Sequence, residues 1–244
     1  MPNPIANTAP RVAVVTGTSS GIGLAIARRL LADGWQVLGL DRAPAQLVNE
    51  HFTSHVVDLS DGSAITHTLP ALLSASLEGR APDALVHAAG VLRVGSLGAL
   101  DPADGETMWR LHVDAATRLA NHFLPTMQAA GRGRMVLVGS RVSVGIAGRS
   151  QYAASKAALV SLARSWAAES IAAGVTVNVV SPAATDTPML VDPARTGTTP
   201  RLPPIGRLIQ PEEIAALVAF LLSGDAAAIT GQDIAVCGGA SVRS

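Results

Sequence analysis

The chain has 244 residues, 48% of them hydrophobic and 15% charged, and 18 basic side chains balance 18 acidic ones. A chain of this size and apolar content buries a core of its own, and its zero net charge gives no field that attracts nucleic acid or anionic lipid. These values exclude a largely disordered chain and argue against a nucleic-acid or membrane role. The sole cysteine, Cys237, cannot form an internal disulfide, and no Cys/His spacing is typical of zinc, so we expect no bound metal and a reducing, cytoplasmic location.

Short apolar runs alternate with helical patterns along the chain. The first run, 12–15, precedes a glycine-rich turn, and Ile22, Ile26 and Leu30 then recur every four residues until Gly34 provides a helix stop. Further strands are predicted at 36–40, 55–57, 84–87, 135–138, 175–180 and 233–236. Helices are predicted in the longer stretches 101–130, 152–173 and 211–222. Continuous apolar strands separated by helices are typical of a parallel sheet that is covered on both faces.

This pattern predicts a single α/β domain over residues 1–244, with a doubly wound parallel sheet of about seven strands and helices on both faces. No linker or low-complexity segment divides it. The least regular stretch, 183–208, contains five prolines and is too long for an ordinary connection. We expect it to cover the substrate, and a plain surface excursion is the alternative.

The glycine-rich turn is the first candidate site. It lies between a strand and a helix, where glycines let backbone N–H groups and the positive end of the helix approach a pyrophosphate. The expected cofactor contacts in the turn are Gly17, Ser19, Ser20, Gly21, Ile22 and Gly23. A turn needed only for packing is the alternative, but the strand-turn-helix context favours a dinucleotide.

Asp41 closes the second predicted strand, 18 residues after Gly23. A carboxylate at that position accepts hydrogen bonds from the ribose hydroxyls and repels a 2′-phosphate, which favours NAD over NADP. Arg42 favours NADP instead, because a guanidinium binds a 2′-phosphate well. Since Ser19 and Ser20 bring no basic group into the turn, we expect NAD, with Asp41 and Arg42 at the adenosine ribose.

The same turn fits the G-x-S-x-G pattern of a serine hydrolase, with Ser19 as the nucleophile. Such an enzyme needs an acid and then a histidine further along the chain. The last histidine is His122, and the turn follows the first strand, so the sequence gives this alternative little support.

The second candidate site contains the only tyrosine and the only lysine of the chain, Tyr152 and Lys156. They are four residues apart in a helical pattern and therefore share one face of a helix. A phenol with an ordinary pKa near 10 is a poor acid–base catalyst at neutral pH, and a neighbouring ammonium lowers that pKa by stabilising the phenolate. Ser140 follows the predicted strand 135–138, at the edge where ligands bind in such sheets, so we expect it to face the pair.

With these motifs the chain resembles a classical short-chain dehydrogenase/reductase, which has a Rossmann-like fold, over nearly its whole length. The resemblance implies that Ser140 polarises the substrate oxygen, Tyr152 transfers the proton and Lys156 holds the ribose. It also implies a homotetramer or dimer, with Trp109 and Trp166 packed either between subunits or in the core. The cofactor contacts that it implies beyond the turn are Asp58, Leu59, Ala88, Ala89, Gly90, Tyr152, Lys156, Pro182, Ala183, Thr185 and Thr187.

Two departures from the family involve histidines. His87-Ala88 occupies the place of two structural asparagines, and His112 occupies the place of the asparagine in the catalytic tetrad. The resemblance implies that this asparagine anchors a water in the proton path. An imidazole both donates and accepts, so His112 is a candidate for the same task or for relaying the proton itself, and a packed histidine without that role is the alternative.

The substrate is less well defined than the reaction, which we expect to be hydride transfer between NAD and a small secondary alcohol or ketone. Residues 83–95 and 178–182 resemble dihydrodiol dehydrogenases that form dihydroxybenzoate, which favours a cyclic hydroxy or dihydrodiol acid. Arg93, Arg141 and Arg149 suit its carboxylate, unless they are ordinary solvated loop arginines. The alternatives are an NADPH-dependent 3-oxoacyl-carrier-protein reductase and a non-catalytic nucleotide sensor, and a sensor would not need the Tyr–Lys pair.

Overall fold

The computed structural model describes residues 10–192 and 201–242. Its strands are β1 (Val12–Thr16), β2 (Gln36–Asp41), β3 (Phe52–Val56), β4 (Ala84–His87), β5 (Gly133–Val138), β6 (Val175–Pro182) and β7 (Asp233–Val236). They form one sheet in the order β3-β2-β1-β4-β5-β6-β7, and every neighbouring pair is parallel. The predicted doubly wound parallel sheet is confirmed.

Helices cover both faces of the sheet. They are α1 (Gly21–Ala32), α2 (Leu69–Leu77), α3 (Pro102–Trp109), α4 (Ala115–Ala129), α5 (Ser150–Ser170) and α6 (Pro211–Leu221). The core on one face includes Ile26 of α1 and Val218 of α6, and the core on the other face includes Leu73, Phe123 and Leu159 of α2, α4 and α5. Because helices cover both sides, β1, β4 and β6 consist entirely of buried residues.

The direction of the winding reverses at β1. The chain continues from β1 to β2 and β3 on one side, and β4 to β7 follow on the other side. A crevice therefore opens at the carboxyl ends of β1 and β4, which is where open α/β sheets bind their ligands. No helix within the two described ranges is both long enough and apolar enough to cross a bilayer.

Most predicted boundaries differ from the structure by one to three residues, and two predicted elements differ in a way that has a physical cause. β3 begins at Phe52 rather than at residue 55, because this edge strand is only partly buried and lacks a continuous apolar run. The expected helix 101–130 is interrupted, since α3 ends at Trp109 and a π-helical turn over Arg110–Asp114 precedes α4.

The segments that the pattern left without bounded elements are partly helical. α2 follows a π-helical turn over Ala64–Thr68. In the stretch 183–208, Pro188–Val191 forms a 3-10 turn, and Thr185 bridges Ile209 in parallel. Residues 193–200 of that stretch lie outside the described residues.

Candidate functional site

A cleft of about 720 Å³ opens at the carboxyl ends of the central strands. His112 is the one residue named from the sequence as a site residue that does not line it. The other named residues all line the cleft, namely Gly17, Ser19, Ser20, Gly21, Ile22, Gly23, Asp41, Arg42, Asp58, Leu59, Ala88, Ala89, Gly90, Arg93, Ser140, Arg141, Arg149, Tyr152, Lys156, Pro182, Ala183, Thr185 and Thr187.

The glycine turn leaves no room for a side chain at Gly17 or Gly23. Gly17 has φ +77°, and a Cβ there would lie 2.9 Å from the backbone nitrogen of Ala89. A Cβ at Gly23 would lie 2.1 Å from the carbonyl oxygen of Gly17, so α1 packs directly on the turn. Ser20, which precedes α1, makes no side-chain capping bond, and the first turn carries no acidic residue. The positive end of α1 and its N–H groups therefore suit a pyrophosphate.

Asp41 is held rigidly beside this turn. Its carboxylate accepts hydrogen bonds from the N–H and hydroxyl of Ser19 and from the N–H of Ala43, at 2.8 to 3.0 Å. The neighbouring Asp58 accepts from the hydroxyl and N–H of Ser60, and these bonds, with a smaller contribution from Arg42, lower its pKa. The cleft thus has two carboxylates beside the glycine turn, which suits the ribose hydroxyls of an adenosine.

The segment after β6 closes the opposite side of the turn. The hydroxyl of Thr185 donates to the carbonyl of Ala183 at 3.0 Å. A Cβ at Gly21 would lie 3.3 Å from Cγ2 of Thr187, so the segment runs close along the turn. These residues fit the nicotinamide side of a dinucleotide that has its pyrophosphate at α1.

Lys156 lies buried on α5, one turn after Tyr152, which lines the cleft. Its Nζ donates to the carbonyl of Val138 at 2.9 Å and lies 5.9 Å from the centroid of the Tyr152 ring. Burial lowers the pKa of Lys156 to about 7. Gly90 faces the ammonium, since a Cβ at that position would lie 3.5 Å from Nζ. The bond to Val138 uses one of the three donors of Nζ, so among the described residues Nζ keeps donors for a ribose.

Ser140 is fixed at the end of β5. It precedes a 3-10 turn, Arg141–Val144, and its Oγ accepts from the N–H of Val142 at 3.4 Å. Because Oγ acts as the acceptor in this bond, its own proton remains available for a ligand oxygen in the cleft.

His112 lies behind the cleft wall and is fully buried. The N–H of Val91 donates to its Nε2 at 3.0 Å, and its Nδ1 lies 2.9 Å from the hydroxyl oxygen of Ser155, which in turn donates to the carbonyl of Tyr152. Because Nε2 accepts, Nδ1 must carry the proton and donate. Burial, with contributions from Lys156 and His87, holds the pKa of His112 well below 6.5, so the imidazole stays neutral. An ionisation of His112 near pH 6.5 during the reaction does not fit this environment.

His87 uses both ring nitrogens as well. Its Nε2 lies 3.1 Å from the carbonyl oxygen of Leu111, and its Nδ1 lies 3.1 Å from Oγ1 of Thr16. Thr16 Oγ1 accepts from the N–H groups of Ala88 and Ala89, and so donates its own proton to Nδ1. These two hydrogen bonds of His87 brace the end of β4, where the family that the chain resembles has asparagines.

The arginines of the cleft differ in their partners. Arg93 lies 3.5 Å from Asp104 and 3.6 Å from Asp192, so two carboxylates balance its charge. Arg141 donates from Nη1 to the carbonyl of Ala240, and its buried Nε has no hydrogen-bond partner among the described residues. Arg149 makes no ion pair within the described ranges.

Sequence reasoning missed part of the cleft wall. Arg201 also lines it, and its place in the proline-rich stretch was the only signal for it. Val91, Met189 and Pro203 add an apolar lining, and Ala240 brings in the C-terminal loop, for which the sequence held no signal.

The chain matches the family model described as "Enoyl-(Acyl carrier protein) reductase" over residues 17–241. This match, together with relatives above 30% identity over nearly the whole chain, shows that the chain belongs to the short-chain dehydrogenase/reductase family. The resemblance stated from its motifs is confirmed.

The relatives carry two kinds of name. A 3-oxoacyl-[acyl-carrier-protein] reductase of Vibrio cholerae is 37% identical over 242 residues, covering 96% of this chain and 98% of the relative. A 2,3-dihydro-2,3-dihydroxybenzoate dehydrogenase of Escherichia coli is 36% identical over 241 residues, covering 93% and 96%. A solved structure named as a short chain dehydrogenase/reductase family protein has a TM-score of 0.85 at 34% identity, covering 96% of this chain and 98% of that chain. The protein is therefore an NAD(P)-dependent oxidoreductase that acts on CH–OH groups.

Proposed function

We propose that the protein interconverts a secondary alcohol and its ketone with NAD(H), and that its substrate is a cyclic hydroxy acid or a dihydrodiol carboxylic acid. One observation carries this substrate class. Among the described residues the carboxylates that line the cleft are Asp41 and Asp58, both at the adenosine end, whereas arginines line the wall around Ser140 and Tyr152.

The preference for NAD is supported by the fixed carboxylate of Asp41. Three donors hold it in place, so its remaining lone pairs are oriented before the cofactor binds. Two hydroxyls of an adenosine ribose can donate to these lone pairs, whereas a 2′-phosphate would place a second anion against a carboxylate.

The catalytic roles are those that the sequence predicts. In alcohol oxidation a hydride leaves the carbon that carries the hydroxyl, and NAD, when bound, would supply the acceptor for it. Ser140 donates to the substrate oxygen, and Tyr152, as phenolate, takes the hydroxyl proton during alcohol oxidation. The ammonium of Lys156 stabilises the phenolate and donates to the nicotinamide ribose. Ketone reduction uses the same groups in the reverse sense.

The substrate carboxylate is proposed to bind Arg141, which directly follows Ser140, with Arg149 and Arg201 adding positive charge to the same wall. A guanidinium binds a carboxylate through two parallel hydrogen bonds. Arg93 is less suited, because Asp104 and Asp192 already balance it. The stretch 183–208 supplies Met189 and Pro203 to the cleft wall, which supports its proposed role of covering the substrate.

A homo-oligomer is part of the proposal, as is usual for this family. Trp109 is 45% exposed on α3, whereas Trp166 packs against the core. We therefore assign Trp109, and not Trp166, to a contact between subunits.

A second candidate is reduction of a 3-oxoacyl group on an acyl carrier protein. It is favoured by the name of the Vibrio cholerae relative and by Arg42, which lines the cleft beside Asp41 and suits a 2′-phosphate. This reaction would require NADPH and a substrate without a carboxylate near the reacting carbon.

Steady-state kinetics separate the two candidates. NAD and NADP are each tested with 2,3-dihydro-2,3-dihydroxybenzoate and 4-hydroxycyclohexanecarboxylate, and each acid is compared with its uncharged carboxamide. NADH and NADPH are tested with a 3-oxoacyl pantetheine thioester. We expect the highest kcat/KM for an acid with NAD and a clear loss for its carboxamide. A higher kcat/KM for the thioester with NADPH would contradict the proposal.

A further inference from the structure

A chain of hydrogen bonds links the glycine turn to the catalytic helix behind the cleft wall. It starts at Thr16, the last residue of β1, and passes through His87 at the end of β4 to the carbonyl of Leu111. Neither His87 nor the nearby His112 lines the cleft, and both are buried, at 1% and 0% exposure. Any effect of His87 on the reaction must therefore pass through other residues.

The π-helical turn explains why Leu111 needs this bond. The N–H of Ala115 bonds to the carbonyl of Arg110, five residues back, and not to Leu111, which would be its partner in an α-helix. The Leu111 carbonyl is thereby left without its α-helical donor, and Nε2 of His87 supplies one at 3.1 Å. A partly buried carbonyl without a donor is costly, so the His87 bond favours the π form over a regular helix.

The π-helical turn also positions His112. In the π form the imidazole meets the N–H of Val91, which follows β4, and the hydroxyl of Ser155, which bonds to the carbonyl of Tyr152. The ring also lies edge-on to Tyr152, with centroids 5.6 Å apart. One imidazole thus connects the loop beside the cofactor with the turn of α5 that carries the phenol.

We propose that His87 and His112 act together as positioning residues, in which His87 holds the π-helical turn open and the turn directs His112 onto Ser155 and Tyr152. The inference rests on the proposed catalytic roles of Tyr152 and Lys156. His87 sets the efficiency of the reaction from behind β4 without contacting cofactor or substrate. The two histidines form one unit, so the loss of either disturbs the same geometry.

Two substitutions of His87 separate its two bonds. In His87→Asn the amide lies near the position of Nδ1 and can still bond Thr16, but it is too short to reach Leu111. In His87→Gln the amide nitrogen lies near the position of Nε2 and can donate to Leu111. We expect kcat of His87→Asn to fall roughly 10- to 100-fold with KM for NAD nearly unchanged, because small displacements of catalytic groups have effects of this size. His87→Gln should retain most of the activity.

The controls exclude a general loss of folding. His51→Asn changes an exposed histidine away from the cleft and should leave kcat unchanged. NADH binding and thermal unfolding are measured for each variant, because a merely structural role would lower the unfolding temperature equally in the Asn and Gln variants and leave kcat unchanged. An unchanged kcat in His87→Asn, or equal losses in the Asn and Gln variants, would overturn the proposal.

A double substitution tests whether the histidines act as one unit. We expect His87→Asn/His112→Asn to be no slower than the slower single variant, because residues that act through the same geometry are not additive. Losses that multiply would contradict a shared role. Tyr152→Phe is measured alongside, and if it keeps its activity the proposed catalytic roles fail, whatever the histidine variants do.

Discussion

Ser19 donates twice to the same oxygen of Asp41, with its backbone N–H at 2.9 Å and its hydroxyl at 2.8 Å from Oδ2. The residue that keeps positive charge out of the glycine turn is thus also the one that orients the carboxylate. Under the proposed function the two residues select NAD together, although they are 22 residues apart.

Cofactor selection is the first prediction. Asp41→Ala should reduce kcat/KM with NAD by roughly 10- to 100-fold, the value of one or two hydrogen bonds to a charged group, and should change kcat/KM with NADP little or raise it. Ser19→Ala keeps the backbone hydrogen bond to Asp41, so its kcat/KM with NAD should fall only a few-fold. Kinetics with both cofactors check this, and a preference for NAD that survives in Asp41→Ala would contradict the role of the carboxylate.

Proton transfer is the second prediction. Tyr152→Phe removes the phenol hydroxyl and keeps the ring, so kcat should fall by roughly 10²- to 10⁴-fold, the usual contribution of a general acid or base. NADH binding, followed by its fluorescence, should stay close to that of the native protein. Appreciable turnover by the Phe variant would show that another residue is the base.

Lys156 should be a destabilising residue as well as a catalytic one. Because burial lowers its pKa from 10.5 to about 7, the folded protein binds fewer protons than the unfolded chain between those values. Stability then rises with pH across that window, and the full cost of burying the ammonium is present below pH 7.

Lys156→Met is therefore expected to be inactive but more stable at pH 6. The gain should be roughly 2 to 4 °C in Tm for each kcal/mol of desolvation cost removed. Loss of the bond to Val138 offsets about 1 kcal/mol of that gain. Calorimetry at pH 6 and pH 10 checks the sign, since the gain should shrink at the higher pH. A lower Tm at pH 6 would show that the ammonium stabilises the fold.

The substrate arginines give a matched pair. Arg141→Gln should raise KM for an acidic substrate by roughly 10- to 100-fold and leave KM for its carboxamide unchanged. Arg93→Gln removes a charge that two carboxylates already balance. It should therefore change KM for the acid and KM for the carboxamide to the same extent. Equal effects of the two substitutions on the acid would argue against a specific anchor at Arg141.

Because two histidines are buried, we expect the free energy of unfolding to decrease in acid. The pKa of His87 is lowered to about 3, by burial and by Lys156, and that of His112 lies well below 6.5. Below about pH 6.5 the unfolded chain therefore binds more protons at both histidines, so stability falls as the pH falls, by up to about 1.4 kcal/mol per pH unit for each. For His87 this loss continues down to about pH 3.

Urea unfolding at several pH values checks this prediction. His112→Gln retains an amide but cannot be protonated, so its stability should fall less steeply with decreasing pH than that of the native protein. His67→Gln, at an exposed position, should keep the native slope. The kcat profile of the native enzyme should show no ionisation of His112 near pH 6.5, and such an ionisation that vanishes in His112→Gln would contradict the buried neutral state.

Periodicity and motifs predicted most of the fold, because burial on both faces leaves a simple pattern. The bounds of β4 and β7 are those expected, and the turn at Gly17 follows from its glycines. The π-helical turn at Arg110–Asp114 was not predictable, since a one-residue change of repeat is smaller than the uncertainty of a helical pattern.

The candidate site was predicted unevenly for a related reason. Residues of the cleft that belong to local motifs, such as Tyr152 and Lys156, are recognisable from spacing. The partners of Arg93 are not, because Asp104 and Asp192 come from different segments and meet it only in the folded chain. His112 looked like a cleft residue in sequence, and only its contacts with Val91 and Ser155 place it behind the wall.

The extra residue of the π-helical turn also sets the rotation of everything after it. Each residue of an α-helix turns the chain by about 100°, so α4 begins on a different face from the one that a straight extension of α3 would present. Leu119, Phe123 and Met127 reach the sheet with this offset. Because the turn absorbs one residue beyond the α-helical repeat, a deletion of one residue here would let α3 and α4 join as a regular helix with these three side chains still toward the sheet. Such a deletion would remove the turn that places His112 while leaving the core packing of α4 in register.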